Sequence, residues 1–100
     1  VRRGSGGGAV LLLPDEHVWV DAWLPAGDPL WVDDVVRAGE WMGEAWARSA
    51  VTLGFEAEHV AVHRGRVRAS AWSAQVCFAG RGPGEVFVSP EGQKLTGLSQ

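Results

Sequence analysis

Residues 33–54 read DDVVRAGEWMGEAWARSAVTLG, and the class of fold turns on whether this stretch is a helix. A stripe at helical spacing runs through Val35, Ala38, Met42, Ala45, Ser49 and Leu53, widened by Trp46. Glu44 and Arg48 stand four apart, a favourable pair on the outer surface of a helix. Asp33, or Asp28 before Pro29, offers a side-chain oxygen to the first turn, and Gly54 suits the left-handed residue that ends a helix. The spacing predicts one long helix over 33–53.

On either side the period falls to two. Residues 9–13 are wholly apolar. Residues 17–24 alternate, with Val18, Val20, Ala22 and Leu24 on one face and Trp19, Asp21 and Trp23 on the other. The two segments predict a hairpin about Pro14-Asp15-Glu16. Further strands are expected at 57–62, 67–72, 75–78, 85–88 and 94–98, the last two joined by the turn Ser89-Pro90-Glu91-Gly92. One long helix with six or seven strands, mostly hairpin-connected, is an α+β pattern with a mixed, mainly antiparallel sheet. The Trp side chains at 19, 23, 31, 41, 46 and 72 are expected to supply core and domain contacts.

Composition narrows the function classes. A 100-residue chain, 46% hydrophobic and 21% charged, suffices for one small domain. Its longest apolar run, 9–13, falls far short of the roughly 20 residues of a membrane-spanning helix, so no membrane partner is expected. A single cysteine excludes an internal disulfide framework and fits the cytoplasm. A net charge of −3 argues against nucleic acid as a partner. The chain opens on Val1 rather than Met, inside a glycine cluster. Residues 1–100 are therefore expected to be a single partial catalytic domain, the middle of a longer one.

Four features could carry chemistry. Arg2-Arg3-Gly4-Ser5-Gly6-Gly7-Gly8 places guanidinium forks, a hydroxyl and unhindered backbone N–H groups together, a combination suited to a phosphate or carboxylate. It is neither a Walker loop nor a dinucleotide fingerprint, because no helix and no Gly-Lys-Ser/Thr follow. A flexible terminal tail is the competing reading. Lys94, the lone lysine among eight arginines, lies in Gly92-Gln93-Lys94-Leu95-Thr96-Gly97, where Gly97 leaves space beside it. A compact ammonium can bridge a carboxylate and a phosphate as charge shifts between them. Cys77 reads as a small core residue unless a base or cation such as Lys94, His59 or His63 approaches it. Glu85, directly after the glycine loop 79–84, could hold a metal ion or face solvent. His59 and His63 share a strand face about 13 Å apart, too far for one zinc ion. Arg64, Arg66 and Arg68 alternate as a solvated strand edge, or as a docking patch for an acidic protein.

Taken in order, Arg2-Arg3-Gly4-Ser5-Gly6-Gly7-Gly8-Ala9-Val10, the long helix, Cys77-Phe78, Glu85-Val86 and Gly92-Gln93-Lys94-Leu95-Thr96-Gly97 resemble the lipoate–protein ligase family, within the biotin/lipoate ligase and octanoyltransferase superfamily. The likeness spans essentially the whole chain, and its two end motifs are the specific ones. It implies a catalytic domain with a mixed sheet flanked by helices, like that of class II aminoacyl-tRNA synthetases. It also implies activation of lipoate by ATP with Mg²⁺ to lipoyl-AMP, then transfer to a lysine of a lipoyl carrier domain of a 2-oxoacid dehydrogenase or glycine cleavage complex. By position, Arg3, Gly8, Ala9, Val10 and Leu11 would contact the adenylate. Ser5, Gly6 and Gly7 would shape the acyl pocket, and Lys94 with Gly97 beside it would bridge acyl carbonyl and phosphate. The sequence departs from the ligases at Gly80-Arg81-Gly82-Pro83-Gly84-Glu85, where they often carry Gly-Arg-Asn-Asp. Cys77-Phe78, eight residues before Glu85, is similar to the Cys-Phe…Glu of octanoyltransferases, which use a cysteine thioester and no ATP. A transferase using Cys77 on octanoate is thus the alternative, and a non-catalytic carrier-binding module the third.

Overall fold

The helix forms, but it is shorter than its apolar spacing predicts. In the computed structural model, which describes residues 10–76, 79–89 and 92–99, α1 spans Glu40–Thr52. Residues 33–39 make turns instead. The Asp34 carboxylate accepts from Val36 N at 2.9 Å, and its carbonyl takes the amides of Arg37 and Ala38. This is a self-contained Asx turn that competes with helix. Gly39 then closes it as the N-cap of α1. At the other end Phe55 N donates to Ala50 O and Gly54 N to Val51 O, with Gly54 at φ +114°. This is a complete Schellman stop at the expected glycine.

The expected burial stripe is corrected. Val35 and Leu53 are exposed, and the residues buried on the helix are Gly43 and Ala50, preceded by buried Gly39. Small residues four apart let the helix lie directly on main chain. A Cβ on Gly43 would stand 2.8 Å from the Gly84 carbonyl carbon and 2.9 Å from Val62 Cγ1, closer than real Cβ atoms come. Gly84 adopts φ +79°, and a Cβ there would strike the Gly39 carbonyl in turn. Three glycines thus set the distance between α1 and the sheet.

The sheet is three-stranded and antiparallel, in the order β1 (Val60–Val62), β2 (Val86–Val88), β3 (Gln93–Thr96). A single 3₁₀ turn, Ala57–His59, replaces the first half of the strand expected at 57–62. Val62 pairs with Val86, which is fully buried, so this valine layer faces α1. Phe87 pairs with Lys94, and a bulge between Val86 and Phe87 leaves Leu95 as the extra residue on β3. By the alternation of side chains along a strand, Glu85, Phe87 and Lys94 share the face opposite α1.

The structure is therefore α+β, and the described residues hold one α-helix and fewer strands than the sequence pattern predicts. Residues 10–13 and 17–24 form no strand, and their hairpin is absent: Leu11 is 82% and Trp23 92% exposed. Residues 67–72 contribute one isolated bridge, Arg68 to Arg81, and 71–75 are turn. The tryptophans are corrected likewise. Trp19, Trp23, Trp31 and Trp72 are exposed, and Trp41 and Trp46 are half-buried on the helix.

Candidate functional site

Two of the residues singled out from sequence meet. Lys94 Nζ lies 2.8 Å from Glu85 Oε2, with side-chain exposures of 6% and 8%, a buried ion pair on the sheet face away from α1. The hairpin makes this contact. The antiparallel pairing of β2 with β3 sets Phe87 opposite Lys94, and Glu85, two residues earlier on the same face, stands diagonal to it. Lys94 Nζ is 5.7 Å from the Phe87 ring centroid. The Arg81 guanidinium packs over the same ring at 4.4 Å, so two cations approach the Phe87 ring.

The Glu85 carboxylate is held by main chain on both oxygens. Gly82 N donates to Oε2 at 2.6 Å and Leu98 N to Oε1 at 3.4 Å. Its backbone is fixed as firmly: Glu85 N donates to Gly82 O, and Glu85 O accepts from His63 N. The loop that bends to do this, 82–84, ends in the positive-φ Gly84 wedged under α1. The glycine junction of the fold and the ion pair are consecutive residues. The loop's other end is pinned by Arg81, whose amide and carbonyl exchange hydrogen bonds with those of Arg68 at 2.9 and 2.8 Å.

This arrangement decides what Glu85 can hold. With an ammonium and two amides already on its two oxygens, the buried Glu85 carboxylate does not fit Mg²⁺ while Lys94 is paired. Glu56, Glu58 and His59 bring ligand atoms within 4.8 Å of one another, but all three are exposed on the 3₁₀ turn, where His59 faces both carboxylates. His63 is not in that cluster, and its Nε2 pairs with the Arg66 carbonyl at 3.1 Å.

Arg64 is drawn out of the expected arginine stripe. It binds Glu44 at 2.6 Å and Glu40 at 3.3 Å, clamping the first turns of α1 to the end of β1. The hydrogen bond from Arg64 holds the Glu44 carboxyl below its ordinary range, and the same bond raises Arg64. Arg48, the partner expected for Glu44, adds only a weaker Coulombic pull.

Arg3, Ser5, Gly6, Gly7, Gly8, Ala9 and Cys77 lie outside the described residues. Val10 is half-buried, Leu11 and Gly97 are exposed, and Gly97 directly follows β3. A depression of about 220 Å³ lies between 29–32 and α1, lined in part by Arg37, Glu40 and Trp41, with neither Lys94 nor Glu85 on its wall. Sequence reasoning missed Arg81, Phe87 and the donors Gly82 N and Leu98 N. The turn at 89–92, read as the centre of a hairpin, was the signal that pairs 87 with 94.

No family model, no curated protein and no solved structure matches the chain. Among the described residues, no helix is long and apolar enough to cross a membrane.

Proposed function

We propose that this chain belongs to a lipoate–protein ligase domain acting in the cytoplasm. In it Lys94 is the cation that meets the acyl carboxylate and the α-phosphate of ATP. The observation that carries the reading is the buried 2.8 Å pair of Lys94 with Glu85, itself tied to the glycine loop by Gly82 N. A lysine on a flexible surface strand would have to be ordered at the moment of reaction. An ammonium already fixed by packing stabilises developing charge without that reorganisation.

In the proposed first step a lipoate carboxylate oxygen attacks the α-phosphorus of ATP. The acyl–phosphate bond forms, the bridge to the β-phosphate breaks, and pyrophosphate leaves with the electron pair. In the second, the neutral amine of a carrier-domain lysine attacks the acyl carbonyl, forming an amide and releasing AMP. Arg3, Ser5 and Gly6 to Leu11 would hold nucleotide and acyl chain, as their motif implies.

The test is lipoate-dependent ATP–pyrophosphate exchange by the full-length gene product. Lys94→Ala abolishes exchange and Cys77→Ala spares it. A trappable acyl thioester that needs no ATP and is lost in Cys77→Ala would replace the ligase by an octanoyltransferase. Neither activity, with binding to a lipoyl domain retained, would leave a carrier-binding module.

A further inference from the structure

We propose that Glu85 is the positioning residue for Lys94: a carboxylate locked by main chain that fixes where the ammonium stands. This deepens the ligase reading and rests on it for its consequence in catalysis, but the positional claim stands on the geometry alone. Four observations carry it. Both carboxylate oxygens accept from backbone amides, so the acceptor cannot rotate freely. Its own amide and carbonyl are bonded to Gly82 and His63, so the residue cannot slide along β2. Gly84, immediately before it, is packed against the N-cap Gly39 and against Gly43 of α1, so the loop cannot recede. Both side chains of the pair are more than nine-tenths buried, so water does not compete for the ammonium.

The chemistry at this position requires a carboxylate. Gln would keep one carbonyl oxygen for Gly82 N but turn an NH₂ toward Leu98 N, donor against donor, and would lose the charge that holds Lys94. Asp keeps the charge but falls one methylene short of Nζ. A structural salt bridge would need only attraction; this one has a fixed origin, and the position of Lys94 follows from it. The lysine that meets two substrate oxygens is thereby placed by the glycine loop rather than by its own four-carbon stem.

Lys94 is the single lysine of residues 1–100, and acylation read on its own peptide is separated from that of any other amine. The experiment measures acetylation of Lys94 by an N-hydroxysuccinimide ester, read on its peptide by mass spectrometry. It uses the full-length protein as wild type, Glu85→Gln and Glu85→Asp, with helical circular dichroism as the fold control. If the carboxylate holds the ammonium in place, labelling in Glu85→Gln is roughly tenfold faster, since a group released from a packed site reacts from its open form. Glu85→Asp lies between. If Glu85→Gln does not fold, the comparison of Glu85→Asp with wild type decides. Equal labelling in wild type and a folded variant overturns the proposal. The consequence for catalysis is read separately, in exchange kinetics. Glu85→Gln lowers kcat by about a hundredfold, the scale of losing one preorganised charge-stabilising group, with KM for ATP little changed. Glu85→Asp restores part of it. A raised KM with unchanged kcat would overturn the positioning role in turnover. Absence of exchange in wild type, with the labelling difference intact, would refute the ligase reading and leave Glu85 as the anchor of Lys94.

Discussion

Replacing Gly43 by alanine should destabilise this protein, although the same change inside most helices stabilises. Alanine in a helix interior gains about 0.5–1 kcal/mol over glycine through backbone entropy. Here the added methyl would lie 2.8 Å from the Gly84 carbonyl carbon and 2.9 Å from Val62 Cγ1, and nearer still to the Gly84 oxygen. The Val62 methyl can rotate away, but the Gly84 carbonyl is main chain and its neighbour Glu85 is bonded on every side. Overpacking a site that cannot yield costs about 1–3 kcal/mol, and backbone as the obstacle puts Gly43→Ala at the upper end. The net loss is about 2 kcal/mol, which lowers Tm by about 10 °C in a domain of this size. Thermal unfolding followed by circular dichroism at the helix band measures it. Ser49→Ala, on the exposed side of the same helix, serves as the control, changing helix propensity and one exposed bond from Ser49 Oγ to the Ala45 carbonyl. Gly84 shifts before Glu85 does, so the variant should also label faster at Lys94. A Gly43→Ala protein as stable as wild type, or more so, would refute the glycine junction.

The ion pairs give two further predictions. A double-mutant cycle on Glu85→Gln and Lys94→Met should show a coupling of about 2 kcal/mol in unfolding free energy, because each single variant strands a buried partner. A coupling below about 0.5 kcal/mol would mark the pair as solvent-screened. The Arg64–Glu44 pair sets a pH dependence. Glu44 is held below its ordinary value of 4.5 in the folded state, so its contribution is complete above that pH and is lost as pH falls through the lowered value. The Tm difference between wild type and Glu44→Gln should therefore be present at neutral pH and close in the acid range below 4.5; a difference that grows on acidification would reverse the assigned sign.

The C-terminal half of the chain was legible because its signals are local. Gly54 stops α1 where a left-handed residue was expected, and β2 and β3 pair antiparallel as the expected hairpin requires. Lys94 and Glu85 were each visible as residue types, but their pairing depends on a hairpin register that a bulge modifies. The helix start was misread because Asp34 and Gly39 act locally, and helical spacing alone does not reveal an Asx turn. Its buried face was misread for a physical reason as well: hydrophobicity ranks Met42 above Gly43, yet close approach to Gly84 selects the residue with no side chain. Alternation at 17–24 did not suffice for a strand. Pattern supplies a face, but a strand also needs a paired backbone, and the amides of Glu16, Asp28 and Trp31 close local turns, onto the carbonyls of Leu13, Pro25 and Asp28. The arginines at 64, 66 and 68 alternated in sequence without sharing a role, since Arg64 turns to the helix and Arg68 bonds to Arg81 through main chain.

The central claim, that a fixed Lys94 serves acyl adenylation, is tested most directly by ATP–pyrophosphate exchange with lipoate present and absent. The full-length gene product would be assayed beside Lys94→Ala and Cys77→Ala. The ligase predicts exchange that requires lipoate, survives Cys77→Ala and disappears in Lys94→Ala with the helical signal retained. No exchange in wild type, together with an acyl thioester on Cys77 formed without ATP, would contradict it.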